Sequence, residues 1–239
     1  MTTKYFNSSV ISPTVAASKL NSAFAEGDIV FDWVGFEVPR GACKLLGATV
    51  IIRPKNDADQ SVAANGLDLL FAKGPVPDAT PTSLGTVNAE VTNFASTDIV
   101  GGMPFVANDK FGTRTLYATN VSPCELVLEP EPNSGSNIGV DKFYVAGLAA
   151  GAIDLTSGCT VDGTPATNQA NLDVADVDAT LGFAVGDIVH DEDDRLMGTV
   201  SAIPGAADIT MAANLANAGV NDKKVYNINP IRIILHFEK

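Results

Sequence analysis

Basic residues are scarce in this chain and never gathered. Fifteen Lys and Arg stand against 28 Asp and Glu in 239 residues, a formal net charge of −13. No run of them makes the patch that phosphate binding needs, so nucleic acid is not an expected partner. Cysteine is sparse too: Cys43, Cys124 and Cys159 are odd in number, far apart and without a CxxC pairing. Neither a zinc ribbon nor a disulfide framework is predicted, and the thiols are expected as small core residues. No segment approaches the ~18 consecutive apolar residues of a membrane helix. Residues 1–9 hold no continuous apolar stretch of the kind a cleaved signal carries, so neither export nor a membrane contact is expected.

The usual catalytic patterns are also missing. His190 and His236 are the only histidines, Gly-x-Ser-x-Gly does not occur, and no phosphate-cradling or dinucleotide glycine fingerprint is present. Gly101-Gly102 stands alone. The one concentration of charge is Asp187, Asp191, Glu192, Asp193 and Asp194. Asp191, Asp193 and Asp194 are candidate calcium ligands by chemistry, but the alternating spacing and the glycine of a calcium loop are lacking. Adjacent acids project in different directions, and a solvated hairpin turn is the expected role. No metal, cofactor or catalytic residue is assigned. Phe31, Trp33 and Phe36 could line a groove, but aromatics clustered on a strand are expected in the core.

What is present is apolar alternation. Hydrophobic residues make up 46% and charged residues 18%, with 21 glycines and 13 prolines, the composition of many short strands and turns. Residues 1–26 are polar and small, punctuated by Val10, Ile11, Val15, Leu20 and Phe24, and read as an extended arm that, where ordered, lies on a neighbouring subunit, with a floppy terminus as the alternative. Residues 28–38 form the first strand, with a bulge expected at Gly35 to turn Ile29, Phe31, Trp33, Phe36 and Val38 inward. Residues 45–53 alternate with period two, and Leu67, Leu69 and Phe71 share a strand face. Residues 83–109 read as a surface excursion with one or two short strands. Further strands are expected over 113–119, 124–128 and 142–148. Residues 149–180 turn small and polar, a linker with one hairpin. A compact β-module follows, with its likeliest helical turn at 212–218. The cleanest alternation comes last: Ile231, Ile233, Leu235 and Phe237 on one face, Arg232, Ile234, His236 and Glu238 on the other. Such a strand is not stable alone, so it is expected to return to the first domain. Gly27-Asp28-Ile29-Val30 recurs as Gly186-Asp187-Ile188-Val189, which reads as one turn chemistry used twice.

These observations predict an all-β chain: an antiparallel β-sandwich or jelly-roll-like body over 27–150 and 229–239, an arm over 1–26, a linker over 151–180 and a small inserted barrel over 181–228. The expected core includes Trp33, Phe36, Val50, Ile52, Leu69, Phe71, Ile233, Leu235 and Phe237.

Gly186-Asp187-Ile188-Val189, the turn at Asp193-Asp194, Leu196-Met197-Gly198-Thr199-Val200, Asp208-Ile209-Thr210-Met211 and Asn229-Pro230-Ile231 together resemble a module of tailed-phage structural proteins. In that module "GD-x-V", "IGTV" and "ITL" strands build an SH3-like barrel. The usual Asp-Gly turn is replaced here by Asp193-Asp194-Arg195. Residues 31–73, with Gly47-Ala48-Thr49-Val50 and Gly66-Leu67-Asp68-Leu69, look like virion proteins of marine and cyanobacterial phages. The resemblance implies a non-enzymatic capsid decoration (cement) protein on the outer surface of the virion, assembled in the host cytoplasm. It also implies that the protein grips major capsid protein subunits as a homo-oligomer, with a trimer favoured. A tail, collar or fibre component is the first alternative. A carbohydrate-binding or hydrolytic β-sandwich, for which Glu37 and Asp68 are conceivable carboxylates, is the second.

Overall fold

The computed structural model describes residues 6–39, 43–53, 66–74, 79–93, 99–105, 126–128, 140–155 and 158–238. In chain order the elements are β1 (Phe6–Ile11), α1 (Ala17–Leu20), β2 (Ile29–Pro39), β3 (Cys43–Ile52), β4 (Leu67–Ala72), β5 (Ile99–Phe105), β6 (Leu126–Leu128) and β7 (Val140–Ala149). They continue with β8 (Cys159–Val161), β9 (Asn171–Ala175), α2 (Ala179–Gly182), β10 (Ile188–Asp191), β11 (Leu196–Gly205), β12 (Asp208–Met211), β13 (Lys224–Asn227) and β14 (Ile231–Glu238).

Eight strands form two four-stranded antiparallel sheets, ordered β1-β14-β3-β6 and β2-β7-β4-β5. Counting β14 as the eighth body strand, the sheets read 1-8-3-6 and 2-7-4-5, the strand order of a jelly roll. The other six strands close into a barrel, β10-β11-β12-β9-β8-β13, inserted between the last two jelly-roll strands. The fold is all-β.

The period of two does the structural work. On β14, Ile231, Ile233, Leu235 and Phe237 are buried while the intervening residues face outward. The Phe36 ring lies 6.2 Å from that of Phe237 in the opposite sheet and 6.3 Å from those of Phe71 and Phe143 in its own, so one aromatic cluster joins the two layers. Eight of the nine expected core residues lie in the main core around it. Trp33 does not. It sits half-buried on the outer face of its sheet, packed against the small cluster of Ile29, Leu84 and Ala146, and donates its indole N–H to the Thr82 carbonyl at 2.9 Å. The bulges in β2 explain the difference, since they fall between Ile29 and Phe31 and between Phe31 and Val34 instead of at Gly35. Phe31 is turned inward against Gly147, where a Cβ would stand 2.2 Å from its ring.

The arm is extended, but it docks on its own chain. β1 pairs with β14 in unbroken register from Phe6↔Glu238 to Ile11↔Ile233. Val15, Ala17, Leu20 and Phe24 are buried in the main core. The expectation of a neighbouring subunit under the arm is therefore corrected: the apolar punctuation marks anchors into the body. The segment expected as a linker with one hairpin is corrected in part: β8 and β9 pair with each other inside it, but they are two of the six barrel strands, so the barrel begins here. Their Cys159, Val161, Leu172 and Val174 fill the barrel core. Residues 212–218 are not helical. They form an irregular loop tied by amides of Ala212, Leu215 and Ala216 to carbonyls of Thr199, Gln169 and Met197, with Leu215 buried. Cys43 and Cys159 are buried thiols. Cys124 and the strand expected over 113–119 lie outside the described residues.

Candidate interaction face on the inserted barrel

The recurring Gly-Asp-Ile-Val pattern marks one turn built twice. In residues 25–28 the Asp28 amide bonds the Ala25 carbonyl at 3.1 Å, and the Asp28 carboxylate accepts the Ala25 amide at 2.7 Å. In residues 184–187 the Asp187 amide bonds the Ala184 carbonyl at 3.1 Å, and its carboxylate accepts the Ala184 amide at 2.7 Å. Gly27 and Gly186 take φ of 85° and 93°, a left-handed conformation that glycine adopts without strain. Each turn launches a strand, β2 in the body and β10 in the barrel.

The surroundings of the two turns differ. Ile29, after the first, is fully buried beneath Leu84 of the segment 79–93, whose backbone bridges it through Ile29 to Ala89 and Asn88 to Ile29 hydrogen bonds. Ile188, after the second, is 37% exposed. The tip residue is Glu26 in the first turn and Val185, 70% exposed, in the second. Leu196 is 42% exposed and pairs with His190, two positions along β10 from Ile188. Val185, Ile188 and Leu196 thus place apolar surface on one hairpin of the barrel and the turn that leads into it. Sequence reasoning passed over them, although an apolar residue where the twin turn has Glu26 is a visible signal.

Beside this face the barrel is clamped to the body. Arg53, at the end of β3, donates both terminal nitrogens to Asp187, the second at 2.7 Å. Such a two-pronged pair fixes orientation as well as distance. Burial pushes the Asp187 carboxyl up, and that outweighs the Arg53 guanidinium and the Ala184 amide, which pull it down. The two-pronged contact ties the end of β3 to the turn that precedes β10. Asp194 accepts the Ser18 amide of α1 at 3.1 Å, Val15 donates to the Ile228 carbonyl at 2.8 Å, and Asn229 donates to the Pro13 carbonyl at 3.2 Å. Tyr226 of β13 reaches into the body core. Burial, then the charges of Glu192 and Asp154, push its phenol up to about 12.

The candidate calcium ligands do not converge. Asp191 is buried, not solvated as expected. It accepts the Asp193 and Arg195 amides at 3.1 and 2.9 Å and the Arg195 Nε at 2.7 Å. Asp193 pairs with Lys223, whose hydrogen bond holds its carboxyl below the usual range. Asp194 takes the left-handed φ of 63° at the turn position where the resemblance has glycine, a conformation Asp tolerates. Among the described residues no three His, Cys, Asp or Glu form a group able to hold a metal. His190 donates from Nδ1 to the Asp194 carbonyl at 2.9 Å, and His236 lies 3.1 Å from Thr49 Oγ1 on the outer face of β14.

Glu37 and Asp68 are equally separate. Glu37 pairs across to Lys142 of β7 and Asp68 to Leu148 of the same strand. Six residues along a strand is about 20 Å, far beyond the spacing of a glycosidase pair. A polar cleft of ≈ 580 Å³ opens elsewhere on the barrel, lined by Asp162, Thr164, Gln169, Asn171 and Asp173 among others. Among the described residues no aromatic side chain lines it.

No protein-family model matches this chain, and no curated protein matches it.

Proposed function

We propose that this protein is a non-enzymatic virion component of a tailed phage, a decoration protein that binds and stabilises the head surface through its inserted barrel. Fold does not fix function, so the proposal is carried by one observation: Val185, Ile188 and Leu196 exposed on a barrel that Arg53 and Asp187 hold against the body. The barrel segment's resemblance to phage modules supports it. So does the jelly-roll strand order, an architecture that viral capsid domains share with lectins. With Val185, Ile188 and Leu196 70%, 37% and 42% exposed, covering what remains against a capsid subunit contributes about 0.5–2 kcal/mol each. Repetition around a symmetric shell multiplies such a contact. This reading moves the grip from the N-terminal arm, which is occupied by its own body, to the barrel.

The test is quantitative protein analysis of purified particles combined with re-addition to stripped shells. Hundreds of copies per particle are expected; a dozen or fewer would place the protein in the neck or tail. Val185→Asp with Ile188→Asp should leave the circular dichroism spectrum unchanged and lower shell occupancy at least tenfold. Absence from particles, or full occupancy by that double variant, overturns the proposal.

A further inference from the structure

The polar cleft on the barrel takes no part in the grip proposed above, and its lining is chemically selective. Two strands bring its walls together. Leu172 and Val174 of β9 fill the barrel core, so the alternate residues Asn171 and Asp173 stand exposed on the outer face. Val161 of β8 pairs with Val174, and one residue further on the Asp162 amide is donated to the Asp173 carbonyl at 2.9 Å. Asp162 and Asp173 are thus cross-strand neighbours, with Cβ atoms about 4.5–5.5 Å apart.

The rest of the rim is fixed by the fold. Gly163, at a φ of 79°, donates its amide to Asn221 Oδ1 at 2.7 Å. Pro165 packs on Gly219, where a Cβ would stand 2.5 Å from the proline ring, and its carbonyl accepts the Gly219 amide at 2.8 Å. The carbonyls of Gln169 and Ala170 accept the amides of Leu215 and Met211, each at 2.8 Å. A preformed cleft of this kind has little to order on binding. Its volume of ≈ 580 Å³ falls within the range of small-molecule sites, about 300–1,000 Å³.

The side chains select the occupant. Gln169 Oε1 accepts the Ala166 amide at 3.0 Å, and Asn171 Oδ1 accepts the Thr210 hydroxyl at 3.2 Å. With both amide oxygens engaged inside the protein, each side chain has its NH₂ group left to donate. Asp162 and Asp173 add carboxylates, which only accept. No Lys, Arg or His is among the lining residues, and the sequence holds no Lys or Arg between Lys142 and Arg195, so an anion finds no counter-charge. A cation only donates and would meet the two NH₂ groups. Among the described residues no group able to hold a metal is formed, and Pro165 and Ala170 are the only apolar residues of the lining, too little for an apolar ligand. A hydroxyl both donates and accepts. Two hydroxyls on adjacent carbons match amides set beside carboxylates.

We propose that this cleft binds a saccharide through a vicinal diol of a pyranose ring, whose hydroxyls donate to Asp162 and Asp173 and accept from Asn171 and Gln169. The site lies on the barrel, apart from Glu37 and Asp68 of the body. With no aromatic ring to stack on the sugar, a single site binds in the millimolar range. The inference does not rest on the virion assignment.

Proton–nitrogen correlation spectra of the full chain test it, because the NH₂ groups of Asn171 and Gln169 give signals of their own. The probes are glucose, galactose, mannose and N-acetylglucosamine, which between them present equatorial and axial diols. At least one should move both NH₂ signals along a saturating curve, together with backbone amides of residues 162–173. Asp173→Ala and Asn171→Ala, both at exposed positions, should keep the spread of the spectrum and weaken binding at least tenfold, read at the Gln169 signal. Spermidine and inorganic phosphate, the cationic and anionic controls, should leave these signals in place. No saturating shift with any of the four sugars, or parental binding in both variants, overturns the proposal. Saturation by spermidine with none by the sugars overturns it in favour of a cation site.

Discussion

A chain shortened to begin at Ala25 should not fold, and the reason is quantitative. The removed segment contributes Ile11, Val15, Leu20 and Phe24, all buried in the main core. Complete burial of such side chains stabilises by ~1.5–3 kcal/mol each, about 6–12 kcal/mol together. The β1–β14 ladder goes with them, along with the amide of Ser18 that caps Asp194 and the Val15 tie to Ile228. A domain's whole stability is about 5–15 kcal/mol, so the loss is of the same size as the total. The milder perturbation is Phe24→Ala, at a site where Phe24 and Ile153 also exchange backbone hydrogen bonds of 2.8 and 3.0 Å. Removing a buried Phe ring costs about 3–5 kcal/mol, a fall of about 1–2 M in the urea midpoint. The assay is urea unfolding followed by fluorescence and circular dichroism, with exposed Val10→Ser as the control expected within about 0.5 kcal/mol. A chain starting at Ala25 that unfolds cooperatively at the parent's midpoint would show that this segment belongs on a neighbour after all.

Gly147→Ala sets a methyl 2.2 Å from the buried Phe31 ring, and overpacking of that kind costs about 1–3 kcal/mol. Phe31→Ala should make Gly147→Ala nearly silent, and additive losses in the double variant would refute the contact. Tyr226 carries a buried hydroxyl with no hydrogen-bond partner among the described residues, so Tyr226→Phe should leave stability at pH 7 unchanged or raised, and a loss above 1 kcal/mol would contradict it. Its phenol titrates higher folded (about 12) than unfolded (about 10). The folded chain therefore holds the extra proton, and stability falls as pH rises through that window. Tyr226→Phe should flatten this alkaline limb, which urea midpoints measured from pH 9 to 12 would reveal.

The strands were legible wherever alternation was strong, because burial of one face leaves period two as the only workable pattern. β14 shows this most plainly: its four inward residues could not stay exposed, and the inserted module offered no sheet to receive them. That the hairpin of residues 159–175 belongs to the barrel was not legible for the converse reason. Cys159, Val161, Leu172 and Val174 sit in segments of three and five residues, too short for periodicity to register among glycines and asparagines. Trp33 misled because alternation was counted through two bulges in β2, and each extra residue moves every later side chain to the other face. The arm misled because contacts between its widely spaced anchors, Val15, Leu20 and Phe24, and strands distant in sequence leave no local signature. Candidate ligands fared differently. Adjacent acids at 191–194 are evident in any reading, but whether they meet an ion or their own neighbours depends on Arg195 and Lys223, and only the fold brings Lys223 to Asp193.

The two Ala-x-Gly-Asp turns separate what local chemistry decides from what context decides. Both need glycine for its positive φ and aspartate to accept the amide three residues back; neither uses the tip side chain, which is exposed in both turns. Glu26 at one tip and Val185 at the other are therefore not folding requirements. The residue that follows is another matter, since an isoleucine opening a strand costs about 1.5–3 kcal/mol when it is uncovered instead of buried. In the body that difference is realised by Leu84 closing over Ile29. In the barrel no described segment closes over Ile188, although its strand is hydrogen-bonded on both sides by β11 and β13, so a partner gains nothing there through backbone pairing. What remains to be satisfied at Val185, Ile188 and Leu196 is side-chain burial alone.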